Sequence, residues 1–249
     1  MCALMARLPN ESFIYLGDTA RLPYGTKSGD TVTRYAVQAA RALTRHKVKM
    51  LVVACNTASA VALPALEEAL APIPIIGVVE PGAEAAVAAA PEGVIAVIAT
   101  EGTVSGGAYP RAIHARAPNA QVVQQACPLF VPLAEEGLID SPIAKLTAEH
   151  YLRNVFTNSR PRALVLGCTH FPVLKNIIAE IAGPGVALVD SAQTTAEAVA
   201  KLLADKNLTR AVSGAPKYEY FATDSTERFA RVGRIFLGRT PDNVELVDI

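Results

Sequence analysis

The sequence has no tryptophan, only three methionines, and few aromatic residues, 6% in all. It has no excess of either charge. Lys+Arg and Asp+Glu both number 23, so the formal net charge is zero, and nothing electrostatic marks nucleic acid as a main ligand. Cysteine is sparse: Cys2, Cys55, Cys127 and Cys168 are scattered, with no CxxC pair and no apolar leader ahead of them. Reduced thiols in a cytoplasmic protein are therefore expected, not a disulfide framework. No 18-residue run is free of charged or strongly polar residues, so no membrane span is expected. Familiar catalytic signatures are missing as well. There is no P-loop or G-x-G-x-x-G fingerprint, no nucleophile elbow with a Ser-His-Asp set, and no His/Cys/Asp/Glu cluster at metal-ligand spacing. The expectation is chemistry without metal or cofactor.

What is present is apolar and β-rich. Of 249 residues, 51% are hydrophobic and 18% charged, enough to build one large core or two small ones. Two stretches dominate: Leu51-Val52-Val53-Ala54-Cys55-Asn56-Thr57 and Leu164-Val165-Leu166-Gly167-Cys168-Thr169-His170. Each starts as a short apolar run suited to a strand buried on both faces of a parallel sheet. Each then stops at a cysteine with hydrogen-bonding neighbours, before helical segments expected over 58–70 and 172–181. The C-terminal ends of strands are where open α/β sheets bind ligands. The cysteines are 113 residues apart, so they read as equivalent corners of two similar doubly wound α/β domains facing each other across a cleft. The expected division is residues 1–80 plus 191–249 for one domain and 81–190 for the other.

Two thiols in matching corners suit proton traffic. Removing a proton from a carbon and returning it on the other face takes two acid/base groups, and a thiol near a helix N-terminus, with its pKa lowered, serves as either. The alternative for each cysteine alone is ordinary burial as a small hydrophobe. Further strands are expected at 12–16, 73–79, 94–99, 121–126, 186–189 and 218–223, with an edge strand at 244–247 and helices at 30–46, 83–90 and 194–203. The segment Gly17 to Gly25 reads as a Gly/Pro-punctuated loop at a strand end, with Asp18 either capping or binding. Thr100 to Gly107 reads as a polar loop able to receive an anion. His46, His114 and His150 read as surface residues, and Arg228, Arg231 and Arg234 as a solvated helix face. His170, two residues from Cys168, reads as a partner that orients the thiol, stabilises its thiolate or binds substrate.

Taken together, Gly-Asp-Thr-Ala-Arg-Leu-Pro-Tyr-Gly (17–25), Ala-Cys-Asn-Thr-Ala-Ser (54–59), Gly-Cys-Thr-His-Phe-Pro (167–172) and Val-Asp-Ser (189–191) resemble the glutamate racemase family of the cofactor-independent aspartate/glutamate racemase superfamily. The resemblance spans the chain in order. It implies interconversion of L- and D-glutamate, supplying D-glutamate for peptidoglycan, with Cys55 and Cys168 as bases on opposite faces of Cα. It implies that Asn56, Thr57, Thr169 and His170 bind the substrate's carboxylate and ammonium groups, and that Pro23, Tyr24 and Gly25 close over it. His170 and Glu135 would support Cys168, and Asp18 matches an acidic residue near the site. The family fold is two doubly wound domains, and its members are often homodimers.

The sequence departs from the family pattern at its start. The family opens with a strand ending in Asp-Ser-Gly-x-Gly-Gly, and this sequence opens inside the helix that would follow it. Roughly 20 residues separate the two starting points by element length, and the expectation is a longer natural chain. Two alternatives stay open: a racemase for another acidic substrate such as aspartate, and a non-catalytic binding protein of the same fold.

Overall fold

The computed structural model describes residues 1–211 and 214–249. The chain runs α1 (Cys2–Arg7), β1 (Phe13–Gly17), α2 (Gly29–Thr44), β2 (Leu51–Val53), α3 (Asn56–Val61), α4 (Leu63–Leu70), β3 (Ile75–Gly77) and α5 (Val79–Ala89). It continues through β4 (Val94–Ala99), α6 (Glu101–Ser105), α7 (Ala108–Arg116), β5 (Gln121–Ala126), α8 (Phe130–Glu135), α9 (Pro142–Ser159) and β6 (Ala163–Gly167). It closes with α10 (Lys175–Ala182), β7 (Ala187–Asp190), α11 (Ser191–Asp205), β8 (Tyr218–Ala222), α12 (Thr226–Leu237) and β9 (Val244–Leu246). The strand pairs among the described residues are parallel, and the fold is α/β. No helix among the described residues is long and apolar enough to cross a membrane.

The central sheet has the order β5-β4-β6-β7. Its two middle strands, Val-Ile-Ala-Val-Ile-Ala and Ala-Leu-Val-Leu-Gly, are apolar throughout because both faces are covered. Ala96, Ile98, Leu164 and Leu166 point into a core with α8, α9 and α10. Ile95, Val97, Ala99, Ala163 and Val165 point the other way, into a core with α5 and α7. Truncating Leu164 or Ile98 to Ala would cost about 2–5 kcal/mol at such positions.

The remaining strands form two smaller sheets, β1-β8-β9 and β2-β3. The expectation of two similar sheets therefore holds only loosely. A third core packs α2 against β2, α3 and α4; Ser28 caps α2 by accepting from the Thr31 N–H, and the helix buries Val32, Ala36 and Ala40 at i, i+4 spacing. An ion pair of 2.7 Å between Lys49 Nζ and buried Glu11 Oε2 ties the start of β2 to the start of β1.

Several boundaries move from their expected places. Helix α5 begins at Val79, not near residue 83, because a proline in a first helical turn loses no intrahelical bond. The polar stretch after β4 is not an open loop. Thr100 caps α6 by accepting from the Thr103 N–H. After Cys168 the chain makes a 3-10 turn, Phe171–Leu174, before α10, so the two cysteine corners are not equivalent.

Candidate active site

Cys55 occupies the N-cap of α3, and its Sγ accepts the Ala58 N–H at 3.5 Å. Ser59 pins this corner from below. Its hydroxyl donates to the Val53 carbonyl at 2.8 Å and accepts from the Val78 N–H at 3.2 Å. The thiol is half-buried. Burial pushes its pKa up, the Cys168 charge adds to the rise, and donation from Ala58 and Thr57 opposes it without winning. The expected lowering at a helix N-terminus is thus reversed, because desolvation outweighs a few neutral donors.

The neighbours of Cys55 look inward. Thr57 is buried, and its hydroxyl closes a triangle with Thr100 at 2.9 Å and Thr103 at 3.2 Å, the latter two being 3.1 Å apart. These hydroxyls hydrogen-bond one another, so the stretch expected at 100–107 as an open loop is packed against Thr57 instead. Asn56 is also buried and accepts from the Tyr109 hydroxyl at 2.7 Å.

The Gly17 to Gly25 segment is organised by Asp18. Its carboxylate pairs with Arg21 Nε at 2.8 Å and accepts from Thr223 Oγ1 at 2.9 Å and from the Tyr24 hydroxyl. Burial and the Asp18 contact raise the Tyr24 pKa, and the Cys55 charge adds to the rise, which places Tyr24 near that thiol. Pro23 is exposed. Gly25 is buried against Thr100, where a Cβ would lie only 2.6 Å from the Thr100 Cβ.

Cys168 follows β6 and is served differently. Its Sγ lies 3.8 Å from His170 Nδ1, and His170 Nε2 lies 3.2 Å from Glu135 Oε1. Burial works against a protonated His170, but hydrogen bonds to Cys168 and Glu135 and their charges outweigh it, raising its pKa to about 9. The hydrogen bond from His170 in turn holds Glu135 below the usual carboxylate range. The result is a protonated imidazole beside a sulfur, able to share its proton with it. Thr169, between the two, is exposed. The Cys168 charge acts on Cys55, so the two thiols are electrostatically coupled.

Arg228 corrects the sequence reading. It is not simply solvated: its Nη2 lies 2.9 Å from Glu135 Oε2. Phe236, two turns further along α12, sets its ring edge-on to His170 with centroids 5.3 Å apart. Sequence reasoning missed Phe236 and Tyr109, whose only signal was amphipathic spacing, which looks the same for a core residue and a functional one. Ser59 and Thr103 fall in the 54–59 and 100–107 stretches singled out from the sequence, but without roles of their own. His46, His114 and His150 do lie on the surface.

Comparisons with known proteins match the sequence and the fold. The glutamate racemase of Geobacter metallireducens is 51% identical over 235 residues, 94% of this chain and 86% of the relative. That of Syntrophus aciditrophicus is 46% identical over 247 residues, 99% of this chain and 91% of the relative. Among solved structures, glutamate racemase of Francisella tularensis in complex with D-glutamate superposes with a TM-score of 0.92 at 37% identity. An isoform from Bacillus anthracis superposes with a TM-score of 0.94 at 36% identity. Each alignment covers 99% of this chain and 91% of the other. The model of the Asp/Glu/hydantoin racemase family matches residues 3–199. With the family model matching residues 3–199, and with sequence and fold matched along nearly the whole chain, the protein belongs to the Asp/Glu/hydantoin racemase family.

Proposed function

We propose that the chain is an amino-acid racemase that interconverts L- and D-glutamate by a two-base mechanism at Cα. The observation that carries this reading is a pair of free thiols, each at the C-terminal end of a parallel strand and each with its own hydrogen-bonding support. One sulfur, as thiolate, takes the α-proton, and the electron pair left on Cα is delocalised into the carboxylate. The other sulfur, as thiol, returns a proton on the opposite face. Protons balance, and the enzyme ends with its thiol and thiolate exchanged.

The supports suggest a division of labour. Cys168 is coupled to His170 and Glu135, which hold a proton close by. Cys55 has only neutral donors, so its thiolate needs a positive charge, and the substrate's ammonium group would supply it. Asn56, Thr57, Thr169 and His170 are assigned to the substrate's polar groups, and Pro23, Tyr24 and Gly25 to the turn above it. Asp18 holds that turn. The proposed division is residues 1–80 plus 191–249 and residues 81–190; the pairing of β4 to β7 in one sheet supports the second unit. Glutamate is favoured over aspartate by the names of the sequence relatives and by the D-glutamate complex of a solved relative. The homodimer, the cytoplasmic location and the supply of D-glutamate to peptidoglycan rest on that similarity alone.

Proton NMR of L-glutamate with the purified chain in D₂O tests the reading. The α-proton signal of glutamate should disappear while that of L-aspartate persists. Persistence of both would remove the racemase assignment.

A further inference from the structure

We infer that Tyr109 is a positioning residue that locks the side-chain amide of Asn56 with its NH₂ turned toward a substrate carboxylate. The inference rests on the proposed racemase reading and deepens it. Tyr109, on α7, is 0% exposed and Asn56 is 2% exposed. The Tyr109 hydroxyl and Asn56 Oδ1 are 2.7 Å apart. Asn56 Nδ2 is buried with no partner among the described residues.

An amide has one acceptor side and one donor side, and a hydroxyl fixes which is which only if its own proton is committed. Burial keeps the phenol protonated, and Asn56 Oδ1 can only accept, so the phenol proton is committed to Asn56. The packing leaves little freedom. A Cβ on Gly82 would stand 3.1 Å from the Tyr109 hydroxyl and 3.4 Å from the Ser191 Cβ, and one on Gly167 would stand 3.2 Å from the Tyr109 ring. Tyr109 therefore lies against the residue before Cys168 and ends on the residue after Cys55. One rigid ring references both corners. Burial raises its pKa, so it remains a donor.

A buried donor with no acceptor is destabilising, and groups left in that state cluster where a ligand completes them. The donor orientation assigns Asn56 to a carboxylate oxygen and not to the ammonium group, which can only donate. A racemase gains from this. A donor fixed before the carboxylate arrives costs no ordering on binding, so it strengthens affinity.

The test measures the glutamate dissociation constant by calorimetry and the steady-state constants for Tyr109→Phe, Asn56→Ala and the double variant. Phe keeps the ring and its packing. Tyr109→Phe should raise Kd and KM by about 10-fold with kcat changed by less than about 3-fold. The double variant should match Asn56→Ala alone, because Tyr109 acts through Asn56. Unchanged Kd and KM, or effects that multiply in the double variant, would overturn the inference. If Tyr109→Phe does not fold, Gly82→Ala replaces it, because its Cβ would stand 3.1 Å from the Tyr109 hydroxyl and displace it, with a rise of about 3-fold expected; a rise that persists when Asn56 is already Ala would equally overturn it. Binding is read independently of turnover. A wild-type chain that binds glutamate without exchanging its α-proton sinks the racemase reading, and the Kd comparison still decides the role of Tyr109. A wild-type chain that does not bind glutamate sinks both.

Discussion

Arg228 Nη2 lies 2.9 Å from Glu135 Oε2, while the other oxygen of the same carboxylate lies 3.2 Å from His170 Nε2. One carboxylate is thus shared between the imidazole that serves Cys168 and a guanidinium on α12. The relay at the second cysteine is completed only when α12 is docked.

Removing that guanidinium should weaken the relay without dismantling it. Arg228 is 53% exposed, and ion pairs at such exposure are screened and worth under about 1 kcal/mol. Arg228→Ala should therefore lower kcat by no more than about 5-fold. Glu135 is held low by His170 first and by Arg228 in addition, so the acidic limb of the pH–rate profile should move to higher pH in the variant. High salt should mimic part of the effect in the wild type. Steady-state rates from pH 5 to 9 check this.

His170 should give the protein an alkaline weakness. Its folded pKa of about 9 lies above the ordinary value of 6.5, so the folded state binds its proton more tightly. That contribution is complete below about pH 6.5 and is lost as pH rises through about 9; a shift of this size corresponds to at most about 3 kcal/mol. Denaturant unfolding of wild type and His170→Gln at pH 6 and pH 10 should show a stability gap at the lower pH that shrinks at the higher.

The threonine triangle should set the reactivity of Cys55. Thr57 donates to that sulfur while its hydroxyl is 3.2 Å from the Thr103 hydroxyl. Thr57→Val removes a donor to the thiolate, so alkylation of Cys55 by iodoacetamide at a fixed pH should slow. Thr103→Val keeps the Thr57–Thr100 contact and should slow it less, while lowering stability by about 1–2 kcal/mol through an unpaired buried hydroxyl.

Gly25 should tolerate no side chain. The Cβ of an alanine would sit 2.6 Å from the Thr100 Cβ and 2.9 Å from its Cγ2. No flexible side-chain end is there to yield, so the turn bearing Tyr24 must lift off α6. Gly25→Ala should raise KM by more than it lowers stability. Gly185→Ala is the control for glycine replacement, since no atom lies within 4 Å of its added Cβ.

The sequence reveals the elements that end in chemistry. Runs such as Leu51 to Val53 and Leu164 to Gly167 are short, apolar and stopped by a cysteine, and periodicity alone places them as buried strands. The His170–Glu135 contact was legible only through the family resemblance, because the two residues are 35 positions apart. Other features were not legible at all. Tyr109, Thr103 and Arg228 act through partners 53, 46 and 93 residues away, and no local pattern encodes such a meeting. The Cys55 pKa was misjudged for the same reason: the helix N-terminus is visible in sequence, whereas the burial that overrides it is a tertiary property.

The central claim is that Cys55 and Cys168 work as a pair on opposite faces of one carbon. Its most direct measurement is racemisation of L- and D-glutamate, followed by polarimetry and by α-proton loss in D₂O, with Cys55→Ser and Cys168→Ser beside wild type. A serine hydroxyl is far too weak an acid to replace a thiol. Each variant should lose racemisation in both directions by about 100- to 10,000-fold while still binding glutamate. Either variant racemising glutamate at close to the wild-type rate would contradict the two-thiol account.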